Sequence, residues 1–348
     1  MKIGLFLEEM RQGLTQREAF HDVLHIADAA EAAALDGVWL GEMHCTPDRS
    51  VLSAPLLVAT AIASRTQRLR VGTAVHLLPL NNPLRIAEEV ATLDQVSEGR
   101  FEFGVGRSGS PRAYNAYGVP YEESQARFFE ALDIIREAWK GAPFSYRGRF
   151  HSVTNTAVAP RPFQQPHPPI RMAALSEETF ALVARLGLQL FVGLRQSDVG
   201  ELVTQLKTYR RAWQEAGHPG EGSVYLRIPL YAAPTERAAR EEGRETITYY
   251  FKRQAEFSMA GAGQAGTGPV ERKQAKAAEL SSMTYAHILE HRVAFGSGAG
   301  LIERLTRLRD DMHLDGIVVE MNPGGLISAE LEARSLRILA DEVMPALA

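Results

Sequence analysis

A glycine-rich stretch with one arginine, residues 99–111, is the part of the sequence whose residue types most clearly suggest chemistry. It begins as an alternating apolar strand and then breaks into small residues, with glycines at 104, 106 and 109. Glycine lets a backbone approach a ligand closely, and Arg107 can grip a phosphate through its bidentate guanidinium. The stretch therefore predicts a strand whose carboxyl end opens on a phosphorylated ligand.

The same letters contain G-x-G-x-x-G, the pattern of dinucleotide-binding loops. That fingerprint needs a helix that begins among the glycines and an acidic residue about 20 residues later. Here Pro111 follows the last glycine, and the next helical pattern starts near Glu122. We therefore favour the phosphate-binding strand end, with a tight turn carrying a surface arginine as the plainer alternative.

Other side chains suited to acid–base chemistry or hydrogen bonding follow apolar runs. Glu42 and His44 end one run, His76 ends another, and Ser176 is placed to cap a helix. Histidine titrates near neutral pH, so His44 and His76 are the candidate catalytic residues. The alternative for each is a hydrogen-bonded structural role, and for Glu42 we favour such a role.

A metal site is not expected. The pair His287 and His291 would share one face of a helix, but no carboxylate stands at a known ligand spacing beside it.

Composition restricts the class of protein. The chain has 348 residues, is 45% hydrophobic and 23% charged, and carries a net charge of −4, which argues against nucleic acid as a partner. The single Cys45 excludes an internal disulfide and fits a reducing compartment. Acidic residues follow Met1 too soon for a signal peptide, and no apolar run could span a membrane. These features predict a cytoplasmic protein.

The predicted elements that position these residues are eight strands separated by helical patterns. The strands are Lys2–Leu7, Val38–Gly41, Leu69–Val75, the start of the 99–111 stretch, Ile170–Ala174, Leu188–Val192, Val224–Ala232 and Ile317–Met321. Their number and the chain length favour a single-domain α/β fold, a (β/α)8 TIM barrel with insertions, over an open sheet. The active site of such a barrel lies at the carboxyl ends of its strands. By that rule, seven residues should lie together at the open end of the barrel formed by the carboxyl ends of the strands: Glu42, His44, His76, Arg107, Ser176, Gly193 and Glu320.

Two segments interrupt the predicted alternation. Residues 144–169, rich in proline and aromatic side chains, suggest an irregular insertion with a possible hairpin. Residues 252–295 suggest a longer insertion, and its glycine-rich part, 260–268, predicts a flexible loop that could act as a lid. No linker divides the chain, so residues 1–348 are expected to form one domain.

Three segments, residues 38–44, 71–75 and 94–104, resemble the bacterial luciferase-like flavin-dependent monooxygenases. The similarity covers nearly the whole chain. It implies a (β/α)8 barrel, reduced FMN as cofactor, molecular oxygen as co-substrate and a homodimer that packs through the early helices.

The resemblance also implies roles for individual residues. Arg107, Ser176 and Thr179 match the residues that bind the flavin phosphate, and the start of a helix suits an anion. The Ala74–Val75 bond matches a non-proline cis peptide beneath the flavin ring. Glu42 and His44 match part of a Glu-His-His segment.

Departures from luciferase itself argue against light emission from an aldehyde. Met43 stands where luciferase has its catalytic histidine, Gly106 where it has a reactive cysteine, and Leu175 where it has an acidic residue. A further phosphate-binding arginine of luciferase falls opposite Gln125, and Arg127 lies two residues on.

The favoured function is a two-component monooxygenase that receives reduced FMN from a separate flavin reductase and oxidises a small organic substrate. The cofactor would do the oxidation while the protein binds, orients and excludes water. A dehydrogenase that uses a deazaflavin is one alternative. A non-catalytic flavin-binding partner subunit is another, because Met43 replaces the catalytic histidine. The substrate cannot be inferred from the sequence.

Overall fold

The computed structural model describes residues 1–195, 197–259 and 261–347, in which strands alternate with helices. The strands are β1 (Lys2–Leu7), β2 (Gly37–Leu40), β3 (Arg70–Thr73), β4 (His76–Leu77), β5 (Phe101–Gly106), β6 (Phe144–Arg147), β7 (Ser152–Thr156), β8 (Ile170–Ala173), β9 (Gln189–Gly193), β10 (Val224–Ala232), β11 (Ala294–Gly296) and β12 (Gly316–Glu320).

The helices are α1 (Gln16–Ala32), α2 (Pro55–Arg65), α3 (Pro83–Val96), α4 (Arg112–Tyr117), α5 (Ser124–Trp139), α6 (Glu177–Arg185), α7 (Val199–Glu215), α8 (Glu236–Glu242), α9 (Arg244–Met259), α10 (Val270–Ser282), α11 (Tyr285–His291), α12 (Gly298–Met312), α13 (Ala329–Ile338) and α14 (Met344–Leu347). None of the helices within the described ranges is long and apolar enough to cross a membrane.

Parallel strands close into a barrel. The order around it is β1, β2, β3, β5, β8, β9, β10 and β12, and β12 pairs with β1 to complete the ring. The short strand β4 continues the course of β3 beside β5, and β11 adds to the carboxyl end of β10. The predicted single-domain (β/α)8 barrel is thus confirmed, and each predicted strand coincides closely with one strand of the barrel.

A cluster of aromatic side chains fills the barrel interior. Trp39 is 1% exposed and packs edge-to-face on Tyr225, with ring centroids 5.6 Å apart. Glycine on the neighbouring strand makes room for the indole, since a Cβ at Gly72 would lie 2.5 Å from its ring. Because the interior is filled by side chains, a ligand can enter only at an end of the barrel.

Helices lie where the sequence analysis expected irregular chain. Helix α4 begins directly after Pro111, before the position near Glu122 at which the next helix was predicted. The insertion at 252–295 is largely helical, because α9 runs through its start and α10 and α11 follow. The hairpin expected in residues 144–169 is present as β6 and β7.

The helical insertion has its own small apolar core. Ile247 and Phe251 of α9 pack with Leu280 of α10 and Ile288 of α11, and all four side chains are buried. This cluster is separate from the main core between the barrel and its outer helices. Helix α9 is therefore supported largely by its own neighbours.

The glycine-rich loop after α9 lies against the 108–122 segment; its predicted first residue, Ala260, is outside the described residues. Gln264 and Asn115 exchange side-chain hydrogen bonds of 2.7 and 3.2 Å. A Cβ at Gly261 would lie 2.0 Å from Pro111, so glycine permits this close approach. The loop thus connects α9 to the chain that follows β5.

Candidate active site

A cavity of about 230 Å³ opens at the carboxyl ends of the barrel strands. Residues that follow β2, β3, β5 and β8 bound one side, which we call the peptide side because it includes the Ala74–Val75 bond. Residues from β9, β10 and β12, joined by α9, the chain after β1 and Arg49 from the loop after β2, bound the other, which we call the ionic side. The two sides carry different chemistry.

On the peptide side, Glu42 contacts two histidines at once. Its Oε1 lies 2.7 Å from His44 Nε2, and its Oε2 lies 2.5 Å from His76 Nδ1. The same Oε2 accepts a 3.0 Å hydrogen bond from the Leu77 backbone N–H. The side chain of Glu42 is only 2% exposed, so these contacts replace its hydration.

The contacts fix the charge of Glu42. Burial alone would raise the pKa of its carboxyl, but the charge of His76 and the hydrogen bonds from both histidines and Leu77 lower that pKa to about 2. The carboxylate is therefore ionised at neutral pH and holds both imidazole rings in place.

The two candidate catalytic histidines differ in their access to the cavity. His44 lines it, and its second ring nitrogen lies 3.3 Å from the Tyr117 hydroxyl. His76 is 5% exposed and is not among the lining residues, although its Nε2 has no hydrogen-bond partner among the described residues. A direct role at the cavity thus suits His44 better than His76.

The Ala74–Val75 peptide is cis, and both residues line the cavity. Two of the glycines in the 99–111 stretch serve this segment rather than a ligand. A Cβ at Gly104 would lie 1.8 Å from the Thr73 carbonyl, and one at Gly106 would lie 2.3 Å from Val75 Cγ2. Gly109, by contrast, lines the cavity and faces open space.

Arg107 lies at the rim, one residue before the cavity-lining Ser108. Its Nη1 donates a 3.1 Å hydrogen bond to Ser124, and it has no carboxylate partner among the described residues. Tyr114 donates to the Arg107 carbonyl, and Tyr121 donates to that of Ser108 at 3.0 Å. The exposed guanidinium is thus free to bind an anion, while buried groups hold its backbone.

Ser176 and Thr179 follow β8, the strand that pairs with β5, so they lie at the same end of the barrel as Arg107. Their hydroxyls are 2.9 Å apart at the start of α6, and Ser176 caps none of the helix N–H groups with its side chain. Ser176 follows Leu175, which lines the cavity. Arg107, these hydroxyls and the amino end of α6 suit a phosphate at the rim.

Arg127, the other arginine in this region, is already engaged. Its Nη2 lies 2.8 Å from Glu123 Oε2, and its guanidinium carbon lies 4.2 Å from the centre of the Phe150 ring.

On the ionic side, carboxylates and guanidiniums form a chain of contacts. Arg227 Nη2 lies 2.8 Å from Glu320 Oε2 and 3.6 Å from Glu8 Oε2, while Arg49 pairs with Glu9 and, at 3.8 Å, with Glu8. Burial alone would lower the pKa of Arg227, but Glu320 and Glu8 raise it. Both guanidiniums are thus held charged inside the cavity wall.

Helix α9 contributes one face to this side. Tyr250, Gln254 and Phe257, spaced four and three residues apart, all line the cavity. These residues were not predicted, because they straddle the boundary between a predicted helix and the predicted insertion at 252–295. Their 4–3 spacing was the available signal.

No group of three or more histidine, cysteine or acidic side chains that could hold a metal occurs in the part of the chain that the structure describes. The site instead offers an anion-binding rim, a histidine on a buried carboxylate and a partly apolar cavity.

This chain is similar in sequence to known flavin-dependent proteins. A family model described as luciferase-like monooxygenase matches residues 1–312. The oxygenase component of the flavin-dependent trigonelline monooxygenase of Acinetobacter baylyi is 24% identical, with 99% of this chain and 95% of that protein covered.

Solved structures share the fold. The oxygenating constituent of 3,6-diketocamphane monooxygenase from Pseudomonas putida, determined in complex with FMN, has a TM-score of 0.83 at 22% identity, covering 99% of this chain and 98% of that one. An F420-dependent secondary alcohol dehydrogenase has a TM-score of 0.76 at 16% identity, covering 100% and 99%. Identities this low indicate a common fold.

Proposed function

This chain belongs to the luciferase-like monooxygenase family, and on that premise we propose that it binds reduced FMN and inserts one oxygen atom of O2 into a small organic substrate. The bound flavin would supply the electrons that activate oxygen. The chain's own residues would bind the flavin, orient the substrate and exclude water. The observation that carries this proposal is an exposed Arg107 guanidinium, with no carboxylate partner among the described residues, at the end of β5, the strand that pairs with β8 before the hydroxyl-rich start of α6.

The residues at the rim fit the phosphate of FMN. Arg107 is exposed and has no carboxylate partner within the described ranges, and Ser176 and Thr179 bond each other rather than the helix backbone. From that rim the cavity continues to Ala74 and Val75, which would lie against the flavin ring. Such an arrangement would leave the ionic side for the substrate.

His44 is the residue we assign to proton handling. The Nε2 of His44 lies 2.7 Å from the Glu42 carboxylate. The Nδ1 of His44 has a longer contact, 3.3 Å, with the Tyr117 hydroxyl. A histidine with one nitrogen held firmly can take up or release a proton at the other. His76, placed on the other oxygen of Glu42, would act mainly by positioning that carboxylate.

The partners we propose are a separate flavin reductase and a second copy of this chain. The trigonelline and diketocamphane enzymes are described as oxygenase components, which supports a division of labour with a reductase. Phe20 on α1 is 39% exposed and Leu57 on α2 is 72% exposed, as expected if these early helices pack in a homodimer. A cytoplasmic location fits the single, exposed Cys45.

Flavin selectivity tests the proposal. Reduced FMN should raise the melting temperature of the protein more than oxidised FMN does, because a ligand stabilises the state that it binds. NADH with FMN and oxygen should give no oxygen consumption until a flavin reductase is added. Stabilisation by a deazaflavin alone would indicate a dehydrogenase, and flavin binding without oxygen consumption would indicate a non-catalytic subunit.

A further inference from the structure

The ionic side of the cavity holds polar groups that no described residue satisfies. Gln254 is 2% exposed, and its Nε2 has no acceptor among the described residues. Tyr250 is 1% exposed, and its hydroxyl makes no hydrogen bond with any described residue. Both side chains line the cavity, so a bound molecule could satisfy them.

A guanidinium without a carboxylate lies on the same side. Arg195, just after β9, lines the cavity and forms no ion pair or hydrogen bond with the described residues. Arg49 and Arg227, in contrast, are each paired with carboxylates. Burial and the charge of Glu320 raise the pKa of Tyr250, and the charges of Arg227 and Arg195 oppose that rise, so both guanidiniums lie within electrostatic reach of the phenol.

We propose that Arg195, Tyr250 and Gln254 bind a carboxylate of the substrate, which is therefore a small organic acid. A carboxylate accepts several hydrogen bonds at once and matches three donors that lack acceptors. Glu320, on the same side, pairs with Arg227 at 2.8 Å through Oε2, while its Oε1 has no hydrogen-bond partner among the described residues, so we place the anion beside Arg195 rather than beside Glu320. This inference rests on the proposed function and names its substrate class.

The apolar part of the lining suits the rest of such a molecule. Phe6, Phe191 and Phe257 contribute aromatic rings to the cavity wall. The Arg227 guanidinium carbon lies 3.4 Å from the centre of the Phe6 ring, which keeps that cation against the wall. A ring or short carbon skeleton would thus lie between these aromatic side chains and the flavin.

Benzoate and cyclohexanecarboxylate are suitable probes, with benzyl alcohol as an uncharged comparison. Calorimetric titrations of the protein, with and without oxidised FMN, should show both acids binding and the alcohol binding at least about tenfold more weakly. Equal binding of acid and alcohol, or no binding of either acid, would overturn the proposal.

Two substitutions locate the binding site. Arg195→Met and Gln254→Met keep side-chain bulk but remove donors, and each should weaken benzoate binding about tenfold to a hundredfold while leaving FMN affinity within a few-fold. Arg85→Met is the matched control, because Arg85 lies on the exposed face of α3 and pairs there with Glu89. Unchanged benzoate binding in both variants, or lost FMN binding in Arg195→Met, would contradict the assignment.

The binding measurements distinguish an error in the flavin assignment from an error in the carboxylate site. If the acids bind and no flavin does, the proposed function is wrong and the carboxylate site stands. If FMN binds and the acids do not, the carboxylate site is wrong and the flavin assignment stands.

Discussion

Gly106 lies against Val75 so closely that a Cβ on the glycine would be 2.3 Å from Val75 Cγ2. Val75 lines the cavity, so the absence of a side chain at position 106 shapes the surface on which we place the flavin ring. Luciferase carries a cysteine at this position. A side chain at position 106 of this chain would have to displace Val75.

Gly106→Ala should destabilise the protein and weaken FMN binding, because the new methyl group must displace Val75. Overpacking of this kind costs about 1–3 kcal/mol, which urea unfolding and flavin titration would detect. Gly109→Ala is the control for unfolding, since a Cβ there meets nothing within 4 Å. Equal stability of the two variants would show that Val75 can move away from a methyl group at position 106 without loss of stability.

Arg107→Met should weaken FMN binding about tenfold to a hundredfold, the range for a hydrogen bond to a charged group. Riboflavin, which lacks the phosphate, should bind wild type and variant alike. Arg127→Met is the control, because that guanidinium is engaged by Glu123 and Phe150. A parallel loss of riboflavin affinity would place Arg107 at the ring rather than at the phosphate.

Glu42→Gln should cost about 1–3 kcal/mol of stability near neutral pH, because buried contacts to charged groups are lost. The pKa of Glu42 is lowered from 4.5 to about 2 in the folded protein, so its contribution is fully present above the unfolded value. It is lost as the pH falls towards 2. Urea unfolding should therefore show that wild type has a larger free energy of unfolding than Glu42→Gln, and that this difference disappears only below pH 4.5.

The control for Glu42→Gln is Glu89→Gln, which removes an exposed carboxylate paired with Arg85. That change should cost no more than about 0.5 kcal/mol. If Glu42→Gln loses no more free energy of unfolding than Glu89→Gln, the contacts of Glu42 with the two histidines do not stabilise the protein.

His44→Ala should leave FMN affinity within a few-fold, lower the yield of oxygenated product and raise the release of hydrogen peroxide. General acid–base assistance is typically worth about a hundredfold or more, and its loss lets reduced flavin and oxygen react unproductively. The ratio of peroxide to product measures the effect. If coupling is unchanged, His44 is structural and His76 becomes the better candidate, to be tested as His76→Ala.

Residues 261–268 should be the first site of limited proteolysis, and bound FMN should slow the cut. Asn115→Ala removes the partner of Gln264 and should speed cleavage, because both side-chain hydrogen bonds to the loop are lost. Asn81→Ala, which removes a side-chain hydrogen bond to the Leu77 carbonyl away from the loop, serves as the control. Cleavage elsewhere first would argue against a lid.

The barrel could be predicted because each of its strands is a short apolar run followed by a helical pattern, and parallel strands then place their carboxyl ends together. The cis peptide at Ala74–Val75 was expected from the family resemblance alone. The role of Gly104 and Gly106 was predicted wrongly, because small residues can face either a ligand or a neighbouring strand. Only the packing against Thr73 and Val75 decides which.

The ionic side could not be predicted, because its contacts join distant parts of the chain. Arg49 and Glu9 are 40 residues apart, and Arg227 and Glu320 are 93 apart. Local periodicity carries no information about such pairs. The lining face of α9 was hidden for a different reason: the glycine-rich residues that follow it made the whole segment look like a loop.

The separate apolar core of α9, α10 and α11 has an evolutionary consequence. Substitutions in a segment that packs largely on itself combine additively with substitutions elsewhere, because the two sets share few contacts. Ile247 and Leu280 belong to that core, while Gln254, one turn away from it, faces the cavity. Proteins that share this barrel could thus vary the wall of the cavity that α9 forms while the end of β5 around Arg107 stays unchanged.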